Sequence, residues 1–352
     1  MIRRANELAS RVSGHTAIEA VGLGKKYRHR RGWALRDCTF RLPAGRVCAL
    51  VGANGAGKTT LLSLVGGLTR PTEGTVEVLG AAAGSPQVRP RVAHLAQGRP
   101  LYPRLTVAET LRMGRELNPG RWDQALAERI VREGGVPFGS RVGTLSGGQR
   151  TRVALSLVLG KRAELVLLDE PLAGLDPLVR HEVLGLLLAQ TAEYGTTVVL
   201  SSHLLDELDG VCDYLLLVAG GHIRVAGEVE DVIGAHSLLT GPHRGTGLPP
   251  EFAAHTVVAS SVTGRQASAL VRRRGPVAGP WQTAEPSLEE LLLAYLRDPD
   301  VPGLIAPSAE PRPARLHRRG GGSGVGGSKV GGSGGGGSVG CEPVGGRDGT
   351  VA

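Results

Sequence analysis

The chain has 352 residues, of which 41% are hydrophobic, 21% charged and 3% aromatic, a balance typical of globular proteins and not of fibres. Its apolar runs are far shorter than the roughly 18 residues that cross a bilayer, and its basic N-terminus lacks the apolar core of a secretory signal. We therefore expect a cytoplasmic protein. The formal net charge is +9, but the basic clusters have almost no interleaved aromatics to stack on bases, which argues against a nucleic-acid partner.

The first strong signal along the chain is a phosphate-binding loop. An apolar strand at 46–51 leads into the pattern G-x-x-x-x-G-K-[ST], and a helix is predicted to begin near Lys58. In such a loop, backbone N–H groups and the helix dipole attract phosphate. Lys58 then supplies charge to the β and γ phosphates, and the Thr59 hydroxyl is a ligand for Mg²⁺. The predicted nucleotide-binding residues are Gly52, Ala53, Asn54, Gly55, Ala56, Gly57, Lys58, Thr59 and Thr60.

A helix start that can bind an anion is predicted at 145–149. Ser146, Gly147 and Gly148 precede a helical stretch that continues to residue 159. A serine hydroxyl and free backbone N–H groups at a helix N-terminus bind negative charge. The segment consists of Leu145, Ser146, Gly147, Gly148 and Gln149.

Two carboxylates follow the apolar strand predicted at 165–169. Asp169 is the last residue of the strand, and Pro171 prevents the strand from continuing. In a phosphate-loop fold such a strand lies beside the loop, so we expect Asp169 to reach Mg²⁺. Alternation along the strand end directs Glu170 to the other side, where it can act as general base on the attacking water.

Beyond residue 233 the pattern becomes weaker. We predict a C-terminal extension over 234–300 that contains one short helix at 287–297, because Ser287 and Glu290 have the spacing of a capping box. Residues 301–352 are predicted to be disordered: the segment 320–352 contains 16 glycines in 33 residues and cannot bury enough apolar surface to offset its chain entropy. The four cysteines, Cys38, Cys48, Cys212 and Cys341, have no paired spacing and are predicted to be reduced structural thiols.

Together these motifs resemble the ATP-binding cassette (ABC) transporter ATPases, whose signature motif is similar to the segment 145–149. The resemblance covers 17–233, after an N-terminal extension at 1–16. It implies an α/β fold, with a P-loop NTPase core, an antiparallel β subdomain and a helical subdomain at about 98–160.

The resemblance also implies roles for single residues. Tyr27 is similar to the aromatic that stacks on adenine, with Trp33 as the alternative. Asp176 resembles the D-loop carboxylate. The catalytic residues implied are Glu170, His203 and Gln97, of which His203 resembles the switch histidine, and the metal contacts implied are Thr59, Gln97 and Asp169.

Partners follow from the same resemblance. The chain has one copy of each motif, and the family pairs each phosphate loop with the partner's signature, so we expect a second ABC ATPase subunit, in the simplest case a homodimer. ATP and Mg²⁺ are the expected ligands. A separate integral membrane permease would hold the chain on the inner face of the cell membrane.

The direction of transport and the main alternative function are also predicted. Residues 287–297 resemble the closing helix of multidrug or antibiotic exporter ATPases. The pattern does not show the long regulatory domains of sugar importers, which also favours export. The alternative is a soluble ABC ATPase that acts on nucleic acid or ribosomes. Leu145 lies only 87 positions after Lys58, and the segment between them lacks the heptads or paired cysteines of the chromosome-maintenance class, which favours a transporter.

Overall fold

The computed structural model describes residues 15–28, 32–202, 210–243, 249–277, 279–298 and 300–312. The strands are β1 (Thr16–Lys26), β2 (Trp33–Pro43), β3 (Val47–Val51), β4 (Glu73–Val78), β5 (Ala81–Ala82), β6 (Val92–Leu95), β7 (Leu165–Asp169), β8 (Thr197–Ser202), β9 (Tyr214–Ala219), β10 (His222–Glu228), β11 (His236–Pro242), β12 (Thr256–Thr263), β13 (Gln266–Arg272), β14 (Gln282–Ala284) and β15 (Leu304–Ile305). The α-helices are α1 (Lys58–Val65), α2 (Val107–Leu117), α3 (Gln124–Glu133), α4 (Gly147–Gly160), α5 (Pro177–Tyr194), α6 (Val229–Gly234) and α7 (Leu288–Arg297).

The central sheet has the strand order β15-β10-β9-β3-β8-β7-β6. Strand β3 pairs in parallel with β8 and β9, and β7 pairs in parallel with β6 and β8. Every residue of β3, β7 and β8 is buried, which is why these segments are continuous apolar runs in the sequence. Because the strands are parallel, the carboxyl ends of β3 and β7 lie at the same edge, as the α/β prediction requires.

An antiparallel sheet of order β2-β1-β4-β5 packs beside the central one. The side chains of Leu23, Phe40 and Leu42 are buried in the core shared with α1 and β3. This sheet is the antiparallel β subdomain that the family resemblance implied.

Helices α2, α3 and α4 lie between residues 107 and 160 and correspond to the predicted helical subdomain. Thr106 caps α2 in a capping box with Glu109, and Asp123 caps α3 by accepting from the Leu126 N–H. Side-chain caps satisfy N–H groups that a helix start leaves without partners. Each helix therefore begins at a residue chemically suited to start it.

A third sheet follows α6 and has the order β12-β13-β11-β14. Strand β13 pairs antiparallel with both β11 and β12. On one face Phe252 packs against Trp281, with ring centroids 4.5 Å apart, while Leu270 joins the core that includes α7. The sequence pattern at 234–286 did not predict this sheet, although the Ser287 cap of α7 and its capping box with Glu290 form as expected.

The predicted start of the disordered segment at residue 301 is wrong for residues 301–312. Strand β15 pairs in parallel with β10, and Ala306 and Ala309 are buried. The Arg272 guanidinium donates to the carbonyls of Pro302 and Gly303 at 3.0 and 2.9 Å. Contacts with strands far away in the sequence thus order a segment that prolines and a glycine interrupt. Residues 1–14 and 313–352, including Cys341, lie outside the described residues.

The cysteines of the described residues are unpaired thiols inside the fold. Cys38, Cys48 and Cys212 are free and buried, and burial raises the pKa of Cys38 to about 11 and that of Cys212 to about 12. This agrees with the prediction of structural thiols.

Within the described ranges, no helix has the length and apolar character needed to cross a membrane.

Candidate functional site

The phosphate loop connects the end of β3 to the start of α1, as the sequence predicted. Its glycines are required by geometry: Gly57 has φ +119°, and a Cβ there would lie 2.6 Å from Leu35 Cδ2. A Cβ at Gly52 would lie 2.4 Å from the Val218 carbonyl oxygen. The Lys58 side chain is buried and its Nζ donates to the Gly52 carbonyl at 2.7 Å. The loop therefore folds back over the ammonium group of Lys58.

Asp169 ends β7 and faces the first turn of α1. Thr59 Oγ1 donates to Asp169 Oδ2 at 2.7 Å, and Ser201 Oγ donates to Asp169 Oδ1 at 2.8 Å. Asp169 is buried, and a buried carboxylate is stabilised by such donors. The contact with Thr59 brings together the two residues that the sequence predicted as metal contacts on different elements.

Glu170 faces the lysine instead. Its backbone is left-handed, with φ 51°, so a turn out of the strand, and not simple strand alternation, sets its direction. Its Oε1 lies 3.4 Å from Lys58 Nζ, and both side chains are less than 10% exposed. The Glu170 N–H donates to Ser201 Oγ at 2.8 Å. Asp169 and Glu170 are thus held by one serine while they face different groups of α1.

A cavity of about 320 Å³ contains these groups. Gln97, two residues beyond the end of β6, lines the cavity together with the phosphate loop and the two carboxylates. The lining residues are Ala53, Asn54, Gly55, Gly57, Lys58, Thr59, Thr60, Gln97, Asp169 and Glu170. The structure therefore brings together the predicted nucleotide, metal and base residues from three elements.

The donor set of this cavity fits Mg²⁺. It contains a hydroxyl from Thr59, a carboxylate from Asp169 and a side-chain amide oxygen from Gln97. Mg²⁺ takes hard oxygen ligands of these types and typically one or two carboxylates.

The predicted signature segment lies at the start of α4. Ser146 is exposed and caps the helix: its Oγ accepts from the Gln149 N–H at 3.3 Å, and Gln149 Oε1 accepts from the Ser146 N–H at 3.1 Å. Leu145 is buried, whereas Gly147 and Gly148 have open space around their Cα atoms. An exposed, serine-capped helix start of this kind can accept an anion.

Other predicted residues lie apart from the cavity. Tyr27 follows the end of β1, is 38% exposed and does not line the cavity; Lys25 Nζ lies 5.2 Å from its ring centroid. Trp33 packs against Gly24, where an added Cβ would be 3.0 Å from the indole. Asp176 caps α5 by accepting from the Val179 N–H at 3.1 Å. His203 lies outside the described residues.

Two residues that hydrogen-bond to the site's acidic residues, or to the backbone just after them, were not predicted from the sequence. Ser201 belongs to β8 and is paired in register with Asp169 of β7; a polar residue at the end of a buried parallel strand was the available signal. Arg99 follows Gln97, and its guanidinium donates to the carbonyls of Pro171 and Ala173. No local pattern indicated that contact, because it joins segments 72 and 74 residues apart.

Comparison with known proteins gives a consistent result. The family model described as ABC transporter matches residues 35–173. The chain is 35% identical over 196 residues to the thiamine import ATP-binding protein ThiQ of Shigella flexneri, covering 54% of this chain and 84% of ThiQ. It is 33% identical over 228 residues to the molybdenum import ATP-binding protein ModC of Mesorhizobium japonicum, covering 62% of this chain.

The match to ModC spans 61% of that protein's length, less than two thirds. Among solved structures, the ATP-binding subunit of an ABC transporter is similar with a TM-score of 0.56 at 28% identity, covering 62% of this chain and 92% of that one. The similarity thus reaches nearly the whole of a cassette but only part of a longer relative.

Proposed function

Because this chain belongs to the family of ABC transporter ATP-binding proteins, we propose that it binds and hydrolyses ATP to drive a separate membrane permease. The observation that supports this most strongly is the cavity that the phosphate loop, Gln97, Asp169 and Glu170 line together. A cavity of about 320 Å³ has room for a polyphosphate group.

In the proposed reaction the loop N–H groups and Lys58 bind the β and γ phosphates. Glu170 is the general base: it accepts a proton from the water that attacks the γ-phosphorus. Its position beside Lys58 keeps the carboxylate close to the charge that will contact phosphate. Gln97, which also lines the cavity, orients the water.

Mg²⁺ would be held by Thr59 and Asp169, with Gln97 as the third contact. When bound, it would neutralise charge on the phosphate oxygens of the nucleotide. The Thr59 and Asp169 side chains are already in contact, so their oxygen atoms converge on one place. Chelation of divalent cations should abolish turnover by the wild-type chain.

The proposed partners are a second ABC ATPase subunit and a permease. The signature helix start at Ser146 is exposed and is not among the residues that line the phosphate cavity of its own chain. A second copy of this chain would supply that helix start to the cavity, which supports a homodimer. The names of ThiQ and ModC as import ATP-binding proteins support a permease as the other partner, and attachment to it would place the chain on the inner face of the membrane.

The direction of transport is a further part of the proposal. We predicted export of drug-like or antibiotic molecules from the resemblance of the helix at 287–297, and α7 forms there with its predicted cap. The two relatives named above are import proteins and give export no support. Export therefore rests on the expectations drawn from the sequence and not on the comparisons. Cells that produce this chain together with its permease partner should lose a preloaded antibiotic faster in an ATP-dependent manner, whereas accumulation would overturn export.

Two substitutions test the hydrolysis proposal directly. Lys58→Ala should weaken both ATP binding and turnover, because it removes a charge-assisted contact to phosphate. Glu170→Gln should retain ATP binding but lose turnover by about 10² to 10⁴. Glu164→Gln is the matched control, since Glu164 forms ion pairs with Arg91 and Arg121 just before β7, at the end opposite Asp169.

Nucleotide titration and steady-state turnover measure these effects, with the permease present if basal turnover is low. Normal turnover by Glu170→Gln would remove that residue from the mechanism. Absence of ATP binding to the wild-type chain would refute the proposed function.

A further inference from the structure

Arg99 forms a bridge between two loops of the candidate site. Its side-chain nitrogen Nη2 donates to the Ala173 carbonyl at 2.8 Å and to the Pro171 carbonyl at 3.1 Å. Its own backbone is left-handed, with φ 44°, and its N–H donates to the Ala96 carbonyl at 2.9 Å. This tight turn contains Gln97, so the guanidinium joins the Gln97 loop to the segment after Glu170.

The segment that Arg99 holds is the turn between Glu170 and Asp176. Within it, the Ala173 N–H donates to the Glu170 carbonyl at 3.3 Å, and the Leu175 N–H donates to the Leu172 carbonyl at 3.2 Å. Arg180 Nε also donates to the Leu175 carbonyl at 2.8 Å. Glu170 itself has a left-handed backbone, which costs free energy for a residue other than glycine. The two contacts from Arg99 therefore oppose relaxation of the backbone immediately after Glu170.

Burying the Arg99 guanidinium at this place has an electrostatic cost. The Arg99 side chain is half-buried and lies near the positive charge of Arg150. Within the described part of the chain, Arg99 has no ion pair, and its Nε is buried without a hydrogen-bond partner. A shorter apolar side chain would fill space there without that cost. The bonds to the two carbonyls are what the guanidinium provides.

We propose that Arg99 is a positioning residue for ATP hydrolysis, which couples the Gln97 loop to the backbone that orients Glu170. The inference rests on the proposed function above. In this arrangement, a shift of the Gln97 loop moves the guanidinium, and the guanidinium moves the Pro171 and Ala173 carbonyls. Arg99 thereby links the wall of the cavity that carries Gln97 to the wall that carries the base.

Arg99→Gln tests this inference because glutamine keeps a donor but cannot span both carbonyls. Loss of hydrogen bonds from a charged donor corresponds to about 10- to 100-fold in kcat. KM for ATP should change by less than about twofold, since Arg99 does not line the phosphate cavity. Arg99→Lys should give an intermediate kcat, because its compact ammonium group lacks the planar fork. Arg104→Gln, an exposed arginine in the same loop, is the matched control and should behave as the wild type.

Chemical rescue separates positioning from a purely structural role. Millimolar guanidinium added to Arg99→Ala should restore part of kcat and should not restore Glu170→Gln. A wild-type kcat in Arg99→Gln would overturn the inference while leaving the proposed function intact. A fall in kcat that comes with an equal loss of nucleotide affinity, a lower melting temperature and no rescue would make Arg99 structural and also overturn it. Absence of hydrolysis by the wild-type chain would refute the proposed function and this inference together.

Discussion

Ser201 contacts both acidic residues of the candidate site, the carboxylate of Asp169 and the backbone of Glu170, and its removal gives a quantitative prediction. Its hydroxyl donates to Asp169 Oδ1 and accepts from the Glu170 N–H, both at 2.8 Å. Ser201 is 1% exposed, so bulk water does not reach the hydroxyl. Ser201→Ala therefore removes the acceptor of one buried N–H and one donor to a buried carboxylate.

The two losses can be given magnitudes. A buried N–H that loses its acceptor costs about 1–3 kcal/mol, and a hydrogen bond to a charged group contributes about 1.5–3 kcal/mol. We expect Ser201→Ala to lower the free energy of unfolding by about 2.5–6 kcal/mol. Asp169 keeps its bond from Thr59, which places the result toward the lower end of this range. Turnover should also fall, because the backbone of Glu170 loses the contact that fixes it.

Denaturant unfolding and ATP turnover measure the two effects on the same sample. Ser156→Ala is the matched control: Ser156 is equally buried, but its hydroxyl only donates to the Val153 carbonyl within α4 at 2.7 Å. The control should lose at most about 1.5 kcal/mol, the net contribution of an ordinary hydrogen bond, with turnover unchanged. Equal stability losses in the two variants would show that the contacts to Asp169 and Glu170 have no special weight.

Two further predictions concern stability. Truncation after Arg319 should leave the melting temperature and ATP turnover unchanged, as the glycine-rich composition predicts, whereas truncation after Asp298 removes β15 and its buried neighbours and should lower the melting temperature by at least about 5 °C. Calorimetry on both truncated chains checks this, and a drop in the longer one would refute the prediction of disorder. Burial, and secondarily the charge of Arg272, lowers the pKa of His236 from its ordinary value of 6.5, although the hydrogen bond to the Val232 carbonyl opposes this. The unfolded chain therefore binds more protons than the folded chain near this pH. The free energy of unfolding should consequently fall as the pH drops below about 6.5. Unfolding curves from about pH 8 to about pH 5 should show a shallower slope for His236→Gln, with part of the slope retained because burial also lowers the pKa of His94.

The sequence predicted most of the candidate site because its chemistry is local. The phosphate loop and the start of α1 depend on glycine positions within a few residues of Lys58, and the Ser146 and Ser287 caps depend on residues three positions away. Such patterns carry their own geometry.

The features that were missed depend on contacts between distant residues. Strand β12 alternates poorly, with its last four residues exposed, so its pairing with β13 left little periodicity to detect. The segment 301–312 is interrupted by three prolines and a glycine, and it is ordered through bonds from Arg224 and Arg272 to its carbonyls. The bridge made by Arg99 is of the same kind. A composition or a period cannot reveal a guanidinium that binds main-chain carbonyls far away in the sequence.

A composite site between two copies of the chain makes the sharpest test of the proposed homodimer. Lys58→Ala damages the phosphate loop, and Ser146→Arg damages the helix start of α4 by placing a bulky cation where phosphate oxygens would meet the N–H groups. Each variant alone should be inactive.

After exchange at equal concentrations, about half of the dimers are mixed, and each mixed dimer has one intact site of two. Turnover should therefore recover to about a quarter of the wild-type value if the sites act independently. Ser287→Arg is the matched control, because Ser287 caps α7 through the same capping box as Ser146 but lies on the C-terminal extension. It should lose the cap, about 1 kcal/mol of stability, and retain turnover. Turnover that stays at zero in samples with verified mixed dimers would mean that one intact site is insufficient or that the site is not shared between chains. Full activity of Ser146→Arg alone would remove α4 from the reaction.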